Sequence, residues 1–460
     1  MVQLVIVLKS VIFTITNDHI KTTLMNKHLY KSIFCALCLT FFACATKPVK
    51  EVPIGYGWSN NSVNTVKFRK NALTTFKNFQ FIAYYDADGS VVLGKRKLKT
   101  TNWEIAKTPY IGNVKDAHNS ISIAVDGDGY LHISWDHHDT KLRYAKSKLP
   151  LSLDLGNEES MTGIAEQKLT YPEFYNLPSG NLLFFYRSGS SGRGNMIINS
   201  YSLKDRKWSQ LQSNLLNGED QRNAYWQAKV DKKGVIHLSW VWRESWDVST
   251  NHDLCYARSK DGGVSWEKSN GEKYSLPITA ASAEYAWKIS QKSSLINQTS
   301  MTTDEEGNPY IASYWSENEV PQFQIVYLEN GIWKKTNSNF RLKPFYLGGG
   351  GTKKIPISRP DLLIKEQGSN RYLYLLFRDQ EKQNKVSMAY TNLSKNTPWK
   401  VLNLTTESIG EWEPNYDISL WEKQKKLHIF LQNVNQIDGE GLAKSDPSMV
   451  RILEVNQLPK

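Results

Sequence analysis

The chain is poor in cysteine: it has four in 460 residues, at positions 35, 38, 44 and 255. Cys35, Cys38 and Cys44 fall within the first 44 residues, so Cys255 stands alone in the body of the chain. One thiol cannot build an intrachain disulfide framework, and stability must come from a large core. No stretch of eighteen apolar residues follows the N-terminus, which argues against a membrane-spanning enzyme. Long amphipathic helical patterns are missing too, which argues against a helical bundle. Acidic residues are in deficit, with 45 Asp and Glu against 57 Lys and Arg, a formal charge of +12. Aromatic residues, by contrast, are plentiful, with 15 Trp, 23 Tyr and 16 Phe. That content favours β-structure and carbohydrate-facing surfaces.

Residues 1–44 read as a leader. From Met25 a basic stretch, Asn-Lys-His-Leu-Tyr-Lys, runs into the apolar segment Ser32–Ala43 and then Cys44. Basic, apolar and small residues in that order make a secretory signal. Ala43-Cys44 resembles a bacterial lipoprotein site, with Cys44 as the lipidated residue, although Phe41 stands where Leu is usual. A plain signal peptide is the alternative, and residues 1–24 read as an upstream start-codon artefact or an extended leader. The expected destination is the outer membrane, the periplasm or the medium, with membrane attachment only through a lipid on Cys44. Residues 1–43 carry four Lys and one Asp, so the rest keeps +9. Such a charge steers polyanions: nucleic acid, anionic lipid, or acidic or sulfated polysaccharide.

Residues 45–460 carry a repeat: an acidic residue, two variable residues, Gly, then alternating apolar residues ending in an aromatic. Copies read Asp86–Gly89, Asp126–Trp135, Pro178–Tyr186, Asp231–Trp240 and Asp304–Trp315, with looser ones at Tyr372–Phe377 and Leu427–Leu431. The Asp/Gly cluster is a turn, and the alternation after it marks a half-buried strand. A second hairpin with a Trp follows in most units, at Trp103, Trp208, Trp266, Trp333 and Trp399. Seven units of four short strands predict an all-β fold, a seven-bladed β-propeller. Ser259–Trp266 reads as a structural Asp-box turn.

In a propeller, equivalent strand ends meet around one mouth, so offsets from the turn glycines locate a site. His138 lies nine residues after Gly129, Arg187 seven after Gly180, and Arg243 nine after Gly234. Counting back, His118 lies eleven before Gly129, Tyr171 nine before Gly180, and Tyr225 nine before Gly234. Residues symmetric about a hairpin turn are neighbours. The arithmetic therefore pairs His118 with His138, Tyr171 with Arg187, and Tyr225 with Arg243, all at one end of three consecutive blades. His132 and His237 share one repeat position and read as structural, and His137 reads as a support. His252 and Cys255 form the only metal-like spacing, and two ligands are too few for zinc alone.

From about residue 55 to 450 the chain resembles the BNR-repeat propellers that include ulvan lyases of polysaccharide lyase families 24 and 25. The carrying segments are Ala117–Ser122, Asp126–His138, Thr170–Phe174, Gly180–Gly192, Trp240–Glu244 and Gly350–Pro360. The resemblance implies eliminative cleavage of a sulfated, uronate-containing polysaccharide, and it carries a catalytic role onto His118, His138, Tyr171 and Arg187. Asn119, Tyr225, Arg243 and His252 are expected to bind substrate around them.

Elimination removes the weakly acidic C5 proton of a 4-linked uronate, so the carboxylate charge must be screened. Arg187 suits that task because a guanidinium holds a carboxylate bidentately and stays charged. His118 and Tyr171 are expected to share the base and acid roles in either order, with His138 assisting Arg187. No metal is required for that chemistry, although a structural Zn or Ca ion is compatible with it. A monomer with no nucleic-acid partner is expected. A sialidase-like hydrolase and a non-catalytic polysaccharide-binding lipoprotein are the alternatives. The first lacks an Arg-Ile-Pro segment near the first blade, and the second has no need of His118 opposite His138.

Overall fold

In the computed structural model the described residues are 49–68, 70–191 and 194–460. The leader expected at residues 1–44 lies outside them. The described residues form seven antiparallel sheets in chain order. Five have four strands. Leu169–Asn176, Leu182–Ser188, Asn195–Ser202 and Lys207–Gln212 make blade 3, and Asn223–Val230, Ile236–Arg243, Asn251–Ser259 and Glu284–Trp287 make blade 4. The expected seven-bladed propeller is the fold.

Two blades fall short of four strands. In blade 2, beyond Ile121–Val125, Leu131–Trp135 and Tyr144–Lys146, the outer strand shrinks to one bridge, Ser147 to Leu155. Pro150 in that segment has no N–H for a ladder. In blade 7 the inner strand shrinks to the bridge Tyr416–Ile429 beside Pro414. The outermost strand of blade 7 is Val49–Gly57, the start of the described body, paired with Ser448–Val455 from its end. That pairing closes the ring.

The first repeat copy is out of phase. Asp86–Gly89 joins the second and third strands of blade 1, Phe79–Tyr85 and Ser90–Lys97, whereas the turns at Gly129, Gly180, Gly234 and Gly307 join first strands to second. The turn chemistry is the same in both places: the Asp86 carboxylate caps the N–H groups of Asp88 and Ser90, as Asp126 caps those of Asp128 and Tyr130. The Trp rule holds in four blades, with Trp208 and Trp333 in fourth strands and Trp103 and Trp399 just before them; Trp266 instead sits at the Asp-box turn, well before the fourth strand of blade 4, Glu284–Trp287.

Seven apolar clusters fill the seven gaps between neighbouring blades. Phe81, Leu93, Ile123 and Trp135 pack between blades 1 and 2; Leu183, Phe185, Trp240 and Trp242 pack between blades 3 and 4. Cys255 is buried in the latter cluster. Each strand uses both faces of its alternation, one toward each neighbour, which is why most strand residues are buried. No helix among the described residues is long and apolar enough to cross a membrane. The one α-helix among the described residues, Ile418–Gln424, is capped by the Asp417 side chain on the N–H of Leu420.

Candidate functional site

The turns at Gly129, Gly180 and Gly234 lie at one end of the ring, so the strand ends carrying His138, Arg187 and Arg243 lie at the other. His118 and His138 sit just outside the first hairpin of blade 2, and their rings stack with centroids 4.2 Å apart. Asp116 holds both: its Oδ1 lies 2.8 Å from Nδ1 of His118, and its Oδ2 lies 2.5 Å from Nδ1 of His138. Burial would raise the Asp116 carboxyl, but the two imidazoles outweigh it and hold the group well below the usual carboxylate range. Burial lowers His118, and the attraction of Asp116 recovers only part of that shift. His118 is therefore neutral near pH 7. Donating its Nδ1 hydrogen to Asp116 leaves the Nε2 lone pair free.

Blade 3 brings Tyr171 and Arg187 through a local irregularity. Phe185 pairs with Glu173 and Arg187 with Thr170, so Tyr171 and Pro172 together oppose Tyr186. Pro172 has no N–H for the ladder, and Tyr171 takes φ 59°, a left-handed conformation costly for an aromatic residue. This bulge re-aims the Tyr171 ring toward the mouth. The Arg187 guanidinium lies over that ring, 5.1 Å from its centroid. Its Nη2 donates to Thr170 Oγ1 at 3.2 Å and its Nε to the Gly189 carbonyl at 3.2 Å. A Cβ on Gly194 would collide with Cγ and Cδ of Arg187, so that glycine makes room for the guanidinium.

Blade 4 repeats the pattern without a bulge. Arg243 pairs along the backbone with Asn223, two residues from Tyr225, and its guanidinium sits 5.4 Å from the Tyr225 centroid. The expected pairs are thus diagonal or bulged neighbours, and all three make side-chain contact. Tyr171 and Tyr225 meet at 6.2 Å between centroids, and His118 lies 6.2 Å from Tyr171. Burial and the neighbouring Tyr225 push the Tyr171 phenol well up. Burial also acts on Tyr225, but Arg243 and Arg187 outweigh it and hold that phenol below its ordinary value. Among the described residues neither Arg187 nor Arg243 has an ion-pair partner.

Two expected binders sit elsewhere. Asn119 Nδ2 donates to the Asn113 carbonyl at 2.9 Å, so its amide braces the loop that holds His118. His252 pairs along the strand with Trp242, on the opposite face from Arg243, and contacts Glu244 at 2.7 Å and Asp253 at 3.0 Å. His252 and Cys255 form no metal pair: they oppose Trp242 and Trp240 on either side of a bulge at Asp253, His252 is held by Glu244 and Asp253, and Cys255 is buried in the core. Among the described residues the group that could hold a metal ion is Asp116, His118 and His138, whose ligand atoms lie within 4.8 Å of one another. An ion there would replace both hydrogen bonds to Asp116.

The offset arithmetic missed Asp116, Phe68, Arg359 and Gly194. Phe68 stacks on His118 at 4.9 Å and touches Tyr171 at 5.3 Å, and Arg359 lies over its other side at 5.0 Å. Arg359 is committed to Glu413 at 2.8 Å and to the Asn297 carbonyl at 2.8 Å. Phe68 comes from the segment between the closing strand and blade 1, outside every repeat. Asp116, two residues before His118 in the same polar loop, was the readable signal.

The readings of the other histidines hold. His132 and His237 each bridge a turn carboxylate, Asp126 or Asp231, to a third-strand tyrosine, Tyr144 or Tyr256, at 2.7 Å. His137 is fully buried, accepts the Arg143 N–H at Nε2, and is pushed down to about 3 by burial. A cavity of about 660 Å³ opens at the other end of the ring, among Gly127, Pro178, Gly180 and Asp231. None of the histidines, tyrosines and arginines of the cluster lines it.

The model of the BNR repeat-containing family matches residues 79–341. The short isoform of an ulvan lyase from Alteromonas sp. (strain LOR) is 24% identical over 302 residues, covering 50% of this chain and 55% of that protein. A long isoform from Alteromonas sp. is 24% identical over 268 residues, 45% of this chain and 27% of that protein. The match thus spans about half of the shorter curated relative. Among solved structures, the polysaccharide lyase Uly1 superposes with a TM-score of 0.65 at 16% identity, over 88% of this chain and 99% of that one. A PL25 ulvan lyase gives 0.55 at 15% identity, over 77% of this chain and 96% of that one. At such identities the superpositions speak for the fold.

Proposed function

The chain belongs to the BNR repeat-containing family, and on that premise we propose that it is a polysaccharide lyase acting on a sulfated, uronate-containing chain. The curated relatives are named ulvan lyases, and one PL25 ulvan lyase has been solved with -[GlcA(1-4)Rha3S]- bound. The same substrate class is proposed here. The observation that carries the reading is one cluster in which Asp116 holds the stacked His118 and His138 beside Tyr171, and Arg187 and Arg243, without an ion pair among the described residues, lie over Tyr171 and Tyr225.

The uronate carboxylate docks on Arg187, with His138 beside it, and its charge is neutralised as electron density moves toward an enolate. His118 Nε2 takes the C5 proton, because it is neutral and its tautomer is fixed by Asp116. The C5–H electrons form the C4=C5 double bond, the C4–O4 bond breaks, and Tyr171 gives its proton to the leaving O4. Burial keeps that phenol protonated, which suits an acid better than a base. The products are a fragment whose new non-reducing end is the unsaturated uronate and a fragment that keeps O4 as the hydroxyl of a new reducing end. Tyr225 and Arg243 hold the adjoining part of the chain. Export through the leader, an anchor on Cys44 and a monomeric body complete the proposal.

The test is ultraviolet absorbance of the unsaturated uronate during incubation with ulvan. A lyase raises it, a hydrolase releases reducing ends without it, and a binder does neither. Arg187→Ala should lower kcat/KM by about 10²–10³-fold, the scale of a lost oxyanion donor. Near wild-type turnover in that variant would overturn the role of Arg187.

A further inference from the structure

Trp246 is 70% exposed, a large apolar surface left in water beside the arginine cluster. Its backbone carbonyl accepts from Nη2 of Arg243, whose other arm reaches Tyr225 Oη at 3.5 Å. Trp246 is thus tied through its backbone to the arginine that covers Tyr225. An exposed tryptophan on a mobile loop would need no explanation, but this one is fixed. Asp247 accepts from the N–H groups of Ser249 at 2.8 Å and Gly349 at 2.8 Å. Val248 N–H donates to the Gly349 carbonyl at 2.9 Å, and the Val248 side chain is buried against Leu347 and Ile355. Ser245 N–H donates to Thr250 Oγ1 at 3.1 Å. Gly350 lies against the indole so closely that a Cβ there would sit 2.9 Å from Cε3. Gly350 therefore packs against the six-membered part of the indole.

We infer that Trp246 is a sugar platform, a binding subsite in which the indole stacks on the apolar face of the sugar next to the reacting uronate while Arg243 meets that sugar's sulfate. The inference rests on the lyase reading and adds the subsite that reading leaves unnamed. A rigid aromatic surface takes a pyranose at low entropic cost, because nothing need be ordered on binding. Charge complementarity fixes the occupant. Arg187 and Arg243 come from adjacent blades, so a carboxylate on one sugar and a sulfate on its neighbour can each meet a separate guanidinium. A glycan whose adjoining sugar is uncharged would leave Arg243 unanswered.

The experiment compares wild type, Trp246→Ala and Trp246→Phe in steady-state cleavage of ulvan and in affinity electrophoresis through gels containing it. The alanine variant should raise KM about 5–10-fold with kcat within twofold, and should lose retardation in the gel. The phenylalanine variant should recover most of both, which a merely structural role would not produce. Unchanged melting temperatures confirm that both variants fold, as expected for an exposed ring. If Trp246→Ala keeps the wild-type KM and retardation, the platform is wrong. If wild type makes no unsaturated product yet is retarded in a Trp246-dependent manner, the lyase reading fails and the subsite stands.

Discussion

Asp116 carries more of the proposed chemistry than any residue the repeat arithmetic found. One carboxylate fixes two imidazoles, with Oδ1 on His118 and Oδ2 on His138. An amide cannot do the same: Asn has one acceptor oxygen, and its NH₂ would face an Nδ1 that already bears hydrogen. Asp116→Asn therefore forces one imidazole into the wrong tautomer, and kcat should fall by roughly 10²–10⁴-fold, the range seen when a histidine base loses its orienting carboxylate. The pH profile supplies the sign. Burial lowers His118, while Asp116 and the more distant Glu440, 3.7 Å away, raise it, and His138 lowers it further. The active form is neutral, so activity is lost as pH falls through a pKa that lies below the ordinary imidazole value. The acid limb of kcat/KM should accordingly lie below that of free histidine. Removing the Asp116 charge should move it lower still. A limb that stays put in Asp116→Asn, measured from pH 4 to 8, would mean that another group is the base.

At the scale of the element, the hairpin was legible and the loop was not. Turn chemistry and alternation locate the first two strands of most blades, so Tyr171 and Tyr225, both nine residues before their turn glycines, and Arg187 and Arg243, seven and nine after them, could be brought to one mouth from sequence alone. Asp86–Gly89 shows the limit: a capped Asp/Gly turn looks the same whether it joins strands one and two or two and three. Phe68 shows another, because it reaches His118 from a segment with no counterpart in the other blades. The bulge at Tyr171 was half visible, since Pro172 in an inner strand already signals a broken ladder. His252 was misplaced because alternation was not carried past Arg243 to the next strand. Gly194 opens the strand Asn195–Ser202, opposite the end of Leu182–Ser188, and the space it leaves is taken by Arg187. Gly194→Ala should therefore shift the guanidinium and lower kcat about 10-fold or more, while the far-ultraviolet circular dichroism spectrum and melting temperature stay near wild type. Full activity in that variant would show that Arg187 tolerates displacement and is not a close carboxylate partner.

At the scale of the whole molecule, ring closure and charge act together. The strand Val49–Gly57 completes blade 7 from the opposite end of the described chain, so seven interblade cores hold the mouth in one geometry without a disulfide. On that frame the chain beyond residue 43 carries +9, and among the described residues the Arg187 and Arg243 guanidiniums at the mouth make no direct ion pair. A repeating polyanion approaching such a body is steered by the summed field before it makes any contact. That steering is screened over about 10 Å at 0.1 M salt and about 3 Å at 1 M, whereas hydrogen bonds inside the filled site are screened far less. The two contributions should separate kinetically. Raising NaCl from about 50 mM to 500 mM should raise KM for ulvan several-fold with kcat nearly constant, because capture weakens and the chemical step does not. The same titration with a short unsaturated-end oligosaccharide should show a smaller rise, since fewer charges feel the field. A kcat that falls with salt while KM stays level would place the sensitivity in the reacting cluster and remove long-range capture from the account.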